Sequence, residues 1–106
     1  MDVDGLGDLL EIVKNYLQVS WSDEASDRRY TVMIEGAKSW LDDKLGPGSD
    51  FLAPGNARTL LLERCRYERD GALDVFPENY RSLIIAEQNR RRIDAYAAQA
   101  ALPADA

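Results

Sequence analysis

The stretch Leu60-Leu61-Leu62-Glu63-Arg64-Cys65-Arg66-Tyr67 decides the fold. At about 100° per residue, three consecutive apolar residues span roughly 200° of a helix, wider than the stripe an ordinary surface helix buries. The predicted helices on either side repeat the feature, at Val32-Met33-Ile34 and at Leu83-Ile84-Ile85. The chain therefore reads as all-α, a small bundle of about four helices with an extended or docked C-terminal segment. Its 106 residues allow one domain and one core. A chain this short has few places to surround a helix on all sides, so some of the apolar surface is expected to meet another protein chain.

Working outward, Asn56 is placed to cap the third helix, from Ala57 to about Asp70, and Gly71 sits where helices end. Ala57, Leu60, Leu61 and Cys65 share one face of it, with Arg58, Arg64, Arg66 and Arg69 on the remainder. Upstream, the ten-residue loop from Gly46 to Gly55 stays ordered only if Phe51 and Leu52 are tucked away. The second helix is expected from about Asp23 to Lys44, capped through Ser22-Asp23-Glu24 and ended by Gly46-Pro47-Gly48. Gly36 costs about 1 kcal/mol in its middle relative to Ala, which suggests a close helix–helix contact. Leu6, Leu9, Leu10, Val13 and Leu17 trace the single stripe of a first helix, and Trp21 is expected to plug the turn between the first two.

Downstream, Pro77 suits the first turn of a fourth helix whose stripe is Tyr80, Leu83 and Ile84. A second stripe follows at Ile93, Tyr96, Ala97 and Ala100. Nine residues separate Ile84 from Ile93, about 900° of rotation, so the two stripes point roughly 180° apart. Either the helix breaks near Asn89, or the distal stripe packs on a different partner. The organisation expected is a helical domain over residues 1–92 and an Ala-rich tail over 93–106 that assembly can order.

The formal charge of -6 is unevenly placed, with eleven acids against five bases before residue 56 and eight of each after it. That balance argues against a general nucleic-acid binder, which needs clustered Lys and Arg. It fits either a solvated acidic surface or a negative surface past which DNA moves without sticking. Cys65 is the only cysteine and His is absent, so an intrachain disulfide and a Cys/His zinc site within one subunit are excluded. Cys65 is read as a buried, inert thiol. The acidic start Met1-Asp2-Val3-Asp4 has no signal-peptide character, and no run approaches the ~18 apolar residues of a membrane span. A reducing cytoplasm, or a particle assembled there, is the expected setting.

Nucleophile elbows and phosphate-cradling loops are missing, as is a histidine base, so no enzyme and no cofactor is expected. Gly5-x-Gly7 follows no strand and lacks a third glycine, which removes it as a dinucleotide site. The carboxylates Asp42-Asp43, and Asp23 with Glu24 and Asp27, read as helix ends and solvated surface, with a magnesium site as the rival. Arg90-Arg91-Arg92 is the sharpest basic feature. It reads as a solvated stretch, as a contact for an acidic partner surface, or as a nucleic-acid contact. Phe76 and Tyr80 read as core.

The segment from Leu60 to Leu83 resembles the second half of the small head–tail connector proteins of tailed bacteriophages. In that family an apolar helix ends in an Arg-Tyr pair, followed by a Gly or Asn turn and by Phe-x-x-Asn-Tyr opening the last helix. The matching residues are Arg66-Tyr67, Gly71, and Phe76 to Tyr80. The opening Leu9-Leu10-x-x-Val13-Lys14-x-x-Leu17 and the run Glu35-Gly36-Ala37-Lys38 are also similar. The likeness covers about residues 6 to 88.

The resemblance implies a non-enzymatic α-helical adaptor in the neck of a virion, assembled in the host cytoplasm. Such proteins bind as a dodecameric ring beneath the portal protein and extend the DNA channel towards the tail. Partners would be the portal protein, neighbouring copies and a tail-side neck or stopper protein, with DNA passing unbound and no membrane involved. The interface assigned on this reading is Arg90, Arg91, Arg92, Ile93 and Tyr96, facing portal or neighbour. The rival reading is a small helical protein–protein interaction module, or regulator, acting as monomer or dimer.

Overall fold

The computed structural model describes residues 5–21 and 23–100. Among them lie five α-helices, one 3-10 turn and no strand: α1 (Leu6–Tyr16), α2 (Glu24–Leu45), α3 (Asn56–Arg69), the 3-10 turn Leu73–Val75, α4 (Phe76–Asn79) and α5 (Arg81–Ala100). The all-α class read from the sequence is the one observed.

Helix α3 is central, with α1, α2, α5 and the 3-10 turn packed around it. Its triplet is enclosed within its own subunit: Leu60, Leu61 and Cys65 have no exposed surface, and Leu62 is 9 % exposed. The expectation that so short a chain cannot surround a helix therefore fails for α3. The two longest helices bracket it, and Phe51 from the loop and Phe76 from α4 fill the remaining flanks. The other two triplets each leave one residue outside, Val32 at 62 % and Ile85 at 43 % exposure.

Chain reversals follow local chemistry. Asp23 caps α2, its carboxylate accepting from the Ser26 N–H and hydroxyl; Ser22 lies outside the described residues. Beyond α3, the Ala72 and Gly71 N–H groups bond back to the Tyr67 and Glu68 carbonyls, with Gly71 at φ 74°. That is a Schellman closure with the glycine where it was expected. α1 ends the same way, with Val19 bonded to the Lys14 carbonyl, but here Gln18 holds the left-handed position at φ 61°.

Four local expectations are corrected. Asn56 does not cap α3; Gly55 precedes the helix, and the Asn56 amide turns to Glu87 at 3.1 Å. Trp21 is no plug, being 56 % exposed, while Val19 of the same connector packs against the core. Phe51 is buried, but Leu52 stays at 36 % exposure because its side chain lies over Gly5, where an added Cβ would meet Leu52 Cδ1 at 2.7 Å. Gly5 also sits at φ +70°, and that backbone conformation is what favours glycine at the start of α1. Finally, the chain breaks at Tyr80 and not at Asn89. Tyr80 leaves helical geometry to stack on Phe76, centroids 4.9 Å apart, and α5 then runs unbroken through Asn89 to Ala100.

Candidate interaction surface

Two buried carboxylates organise the polar side of the bundle. Glu63, in the turn after the leucine triplet, accepts from the hydroxyls of Tyr16 and Tyr80 and from Arg66 at 2.5 and 3.2 Å. It joins the end of α1, the α4–α5 corner and α3. Arg66 and the two hydroxyls hold its carboxyl down at about 2 against the opposing effect of burial. The Tyr80 phenol is pushed up to about 12, by burial first and by its hydrogen bond to Glu63 next.

Glu87 does the same for α5. It is 1 % exposed and accepts from Arg90 at 2.5 Å, Arg91 at 2.8 Å and Asn56 at 3.1 Å. These bonds hold it at about 2, with Arg90 the largest contributor. Arg91 continues to the Leu45 carbonyl and to Ser49 Oγ, and Gln88 donates to the Lys44 carbonyl at 2.9 Å. A polar cleft of about 420 Å³ opens beside this knot, lined by Ser49, Asp50, Asn56, Glu87, Arg90 and Arg91. Glu87, Asp50 and Asp94 offset its two arginines, so no net positive charge is left there for an anion.

The five residues assigned to an interface thus separate into two groups. Arg90 and Arg91 are engaged inside the subunit, Arg90 also pairing with Asp94 at 3.1 Å. Arg92, Ile93 and Tyr96 face solvent, Ile93 at 66 % and Tyr96 at 75 % exposure. Helical phase puts Ile85, Arg92 and Tyr96 within about 20° of one line, with Ile93 about 80° round from it. This line lies about 160° from Glu87 and about 100° from Ile84, which face the core. Residues 92 to 100 are all exposed, so the end of α5 leaves the body as an arm. The boundary drawn between residues 92 and 93 falls inside this continuous helix, and residues 101–106 lie outside the described residues.

No protein-family model, curated protein or solved structure matches the chain.

The remaining sequence candidates are accounted for locally. Arg64 stacks over Trp40 at 5.4 Å and pairs with Glu68 at 3.7 Å, while Arg69 donates to the Leu17 carbonyl at 2.9 Å. Phe76 is fully buried, with Trp40 and Tyr67 edge-on to it at 5.7 and 5.5 Å. Asp27 pairs with Lys14 at 2.8 Å and Glu24 with Arg28 at 3.2 Å, so that acidic cluster serves α1–α2 packing and the start of α2. Among the described residues no cluster of Cys, Asp and Glu is placed to hold a metal ion, and no helix is long and apolar enough to cross a membrane. Cys65 is buried, and burial pushes its thiol up to about 12.

Glu63 and Glu87 were not singled out from the sequence, and Asn56 was read as a helix cap. Their signal was there: Glu63 continues the face of Leu60, and Glu87 lies one turn past Ile84 with arginines three and four residues on. An acid on an apolar stripe, with a base one turn away, marks a buried pair.

Proposed function

We propose that the chain is a structural, non-enzymatic adaptor of the head–tail neck of a tailed bacteriophage. Copies form a ring on the portal protein, extend the DNA channel towards the tail and receive a tail-side neck or stopper protein. The observation that carries this reading is the exposed apolar set on α5, Ile85 and Tyr96 on one line with Ile93 about 80° round from it, on a helix that outruns its own body. Exposed apolar residues aligned on one helix face are the usual mark of a protein–protein contact. The helix-Arg-Tyr-turn-Phe-x-x-Asn-Tyr pattern, which resembles that of connector proteins, supports this class of partner.

Truncation of the arm tests this. Removal of everything after Arg92 keeps Arg90 and Arg91 on Glu87, so the bundle stays folded by circular dichroism. Native mass spectrometry with portal rings of the same phage is expected to show saturating binding of the full chain and none of the truncated one. Equal binding of both would refute the role of the arm. A lone dimer with and without portal rings would overturn the neck reading in favour of a small helical interaction module.

A further inference from the structure

α5 and α2 turn complementary faces to solvent. Along α5 an outward face about 120° wide carries Arg81, Ile85, Arg92 and Tyr96, with Ile93 at its edge, and no carboxylate falls on it. Along α2 the outward face carries Arg28, paired with Glu24 at 3.2 Å, then Val32, exposed at 62 %, then Glu35, Gly36, Ser39 and Asp43, with Asp42 beside them. One face is apolar with arginines; the other is apolar at one end and acidic beyond it. Each extends about 16 Å, from Ile85 to Tyr96 and from Val32 to Asp43, at 1.5 Å per residue.

Gly36 supplies a second observation. It is exposed in mid-helix, and among the described residues only Arg64 Nη1 approaches the position its Cβ would take, at 4.0 Å. The close helix contact expected there from the sequence is not made within the subunit. A bare patch of backbone next to Val32 lets an incoming helix approach closely. Beside it a shallow cleft of about 320 Å³ is lined by Leu6, Glu35, Lys38, Ser39 and Asp42.

We infer that the occupant of the α2 face is the α5 arm of a second copy of this chain, lying antiparallel with Tyr96 against Val32 and Arg92 against Glu35. In that register Ile93 covers Gly36, Ile85 lies level with Asp43, and Arg81 sits about one turn beyond it, within reach of that carboxylate. The two faces differ, so each copy gives one and receives one. Such a head-to-tail contact closes into a ring or runs on as a filament. The pairing stands on the two faces alone; only its closure into a ring rests on the neck reading.

Disulfide trapping at millimolar concentration reads the contact directly, because Cys65 is buried and silent in the folded chain. One batch carries Val32→Cys and another Tyr96→Cys. The mixture is expected to give the mixed disulfide dimer in large excess over a control mixture of Glu78→Cys with Tyr96→Cys. Arg92→Glu on the Tyr96→Cys chain lowers that yield about tenfold, and Glu35→Arg on the other chain restores it. A yield no greater than the control, or a loss that Glu35→Arg does not restore, overturns the pairing. Portal binding is scored in parallel. Portal binding without the cross-link removes this contact and leaves the neck reading standing; the cross-link without portal binding does the reverse.

Discussion

Arg91 donates to the buried carboxylate of Glu87 at 2.8 Å, and the same guanidinium reaches the Leu45 carbonyl at 3.2 Å and Ser49 Oγ at 2.8 Å. One side chain thereby ties α5 to the end of α2 and to the loop that leads into α3. Arg90 and Asn56 complete the shell around Glu87. Of the basic triplet that stands out in the sequence, Arg91 ties three elements together, Arg90 pairs with Glu87 and Asp94 on its own helix while staying 60 % exposed, and Arg92 faces solvent.

Replacing Glu87 by Gln is expected to cost about 1–3 kcal/mol, because two guanidinium groups and an amide lose a buried charged acceptor at the edge of a polar cleft. Urea denaturation measures the loss. Arg91→Lys should cost less, since the ammonium can still meet Glu87 but cannot reach Leu45 and Ser49 together. A Glu87→Gln variant as stable as the parent would contradict the account of the knot.

Acid should unfold the protein through the same groups. Glu63 and Glu87 sit at about 2 in the fold against an ordinary value of 4.5. A depressed folded-state value means that their contribution is complete above the ordinary value and drains away as the pH falls from there towards 2. The urea midpoint should be flat above about pH 5 and fall steeply below about pH 4.5. Glu87→Gln should flatten part of that fall. A midpoint unchanged down to pH 3 would remove both carboxylates as anchors.

Gln18 holds the left-handed C-terminal position of α1, at φ 61°, where Gly71 serves α3. A side chain in that region costs roughly 1 kcal/mol relative to glycine. Gln18→Gly is therefore expected to raise stability by about 0.5–1 kcal/mol, read as a higher Tm in calorimetry. No change, or a loss, would mean that the Gln18 side chain makes compensating contacts.

The helices were legible because their apolar residues recur at helical spacing and their ends carry Asp, Gly and Pro. The third helix was placed within a residue at each end, as was the Gly71 turn. Two kinds of feature escaped. Asn56 had the composition of a cap, yet a buried carboxylate more than thirty residues away competed for its amide, and tertiary contact overrode the local preference. Periodicity located a phase change between Ile84 and Ile93 but offered no mechanism for it. The helix does not break there; it leaves the body, and its far stripe faces solvent. The actual break, at Tyr80, depends on Phe76 and Glu63 both claiming that side chain, which no local pattern encodes.

Cys65 should behave as a packing residue. Its thiol has no exposed surface, and burial holds it at about 12, far above the pH at which a free thiolate forms. An aromatic disulfide reagent at neutral pH is expected to label it only at the rate at which the chain opens globally, and fully in denaturant. Rapid labelling of the folded protein would show that α3 is less enclosed than the packing of α1, α2 and α5 implies.

Gly36→Ala separates what the subunit needs from what its outer face is for. Mid-helix glycine is worth about 1 kcal/mol less than alanine. A Cβ here meets only the Arg64 guanidinium, at an ordinary 4.0 Å. The substitution should therefore stabilise the isolated chain by about 0.5–1 kcal/mol in urea denaturation, with no change in circular dichroism. If another helix lies close over that backbone, the added methyl lifts it away, and association weakens while the subunit becomes more stable. Opposite signs in the two measurements fit a residue retained for contact at a cost in stability. Loss of stability in the isolated chain would instead mean that Gly36 serves the fold of its own subunit, and the reason for a bare α2 face would disappear.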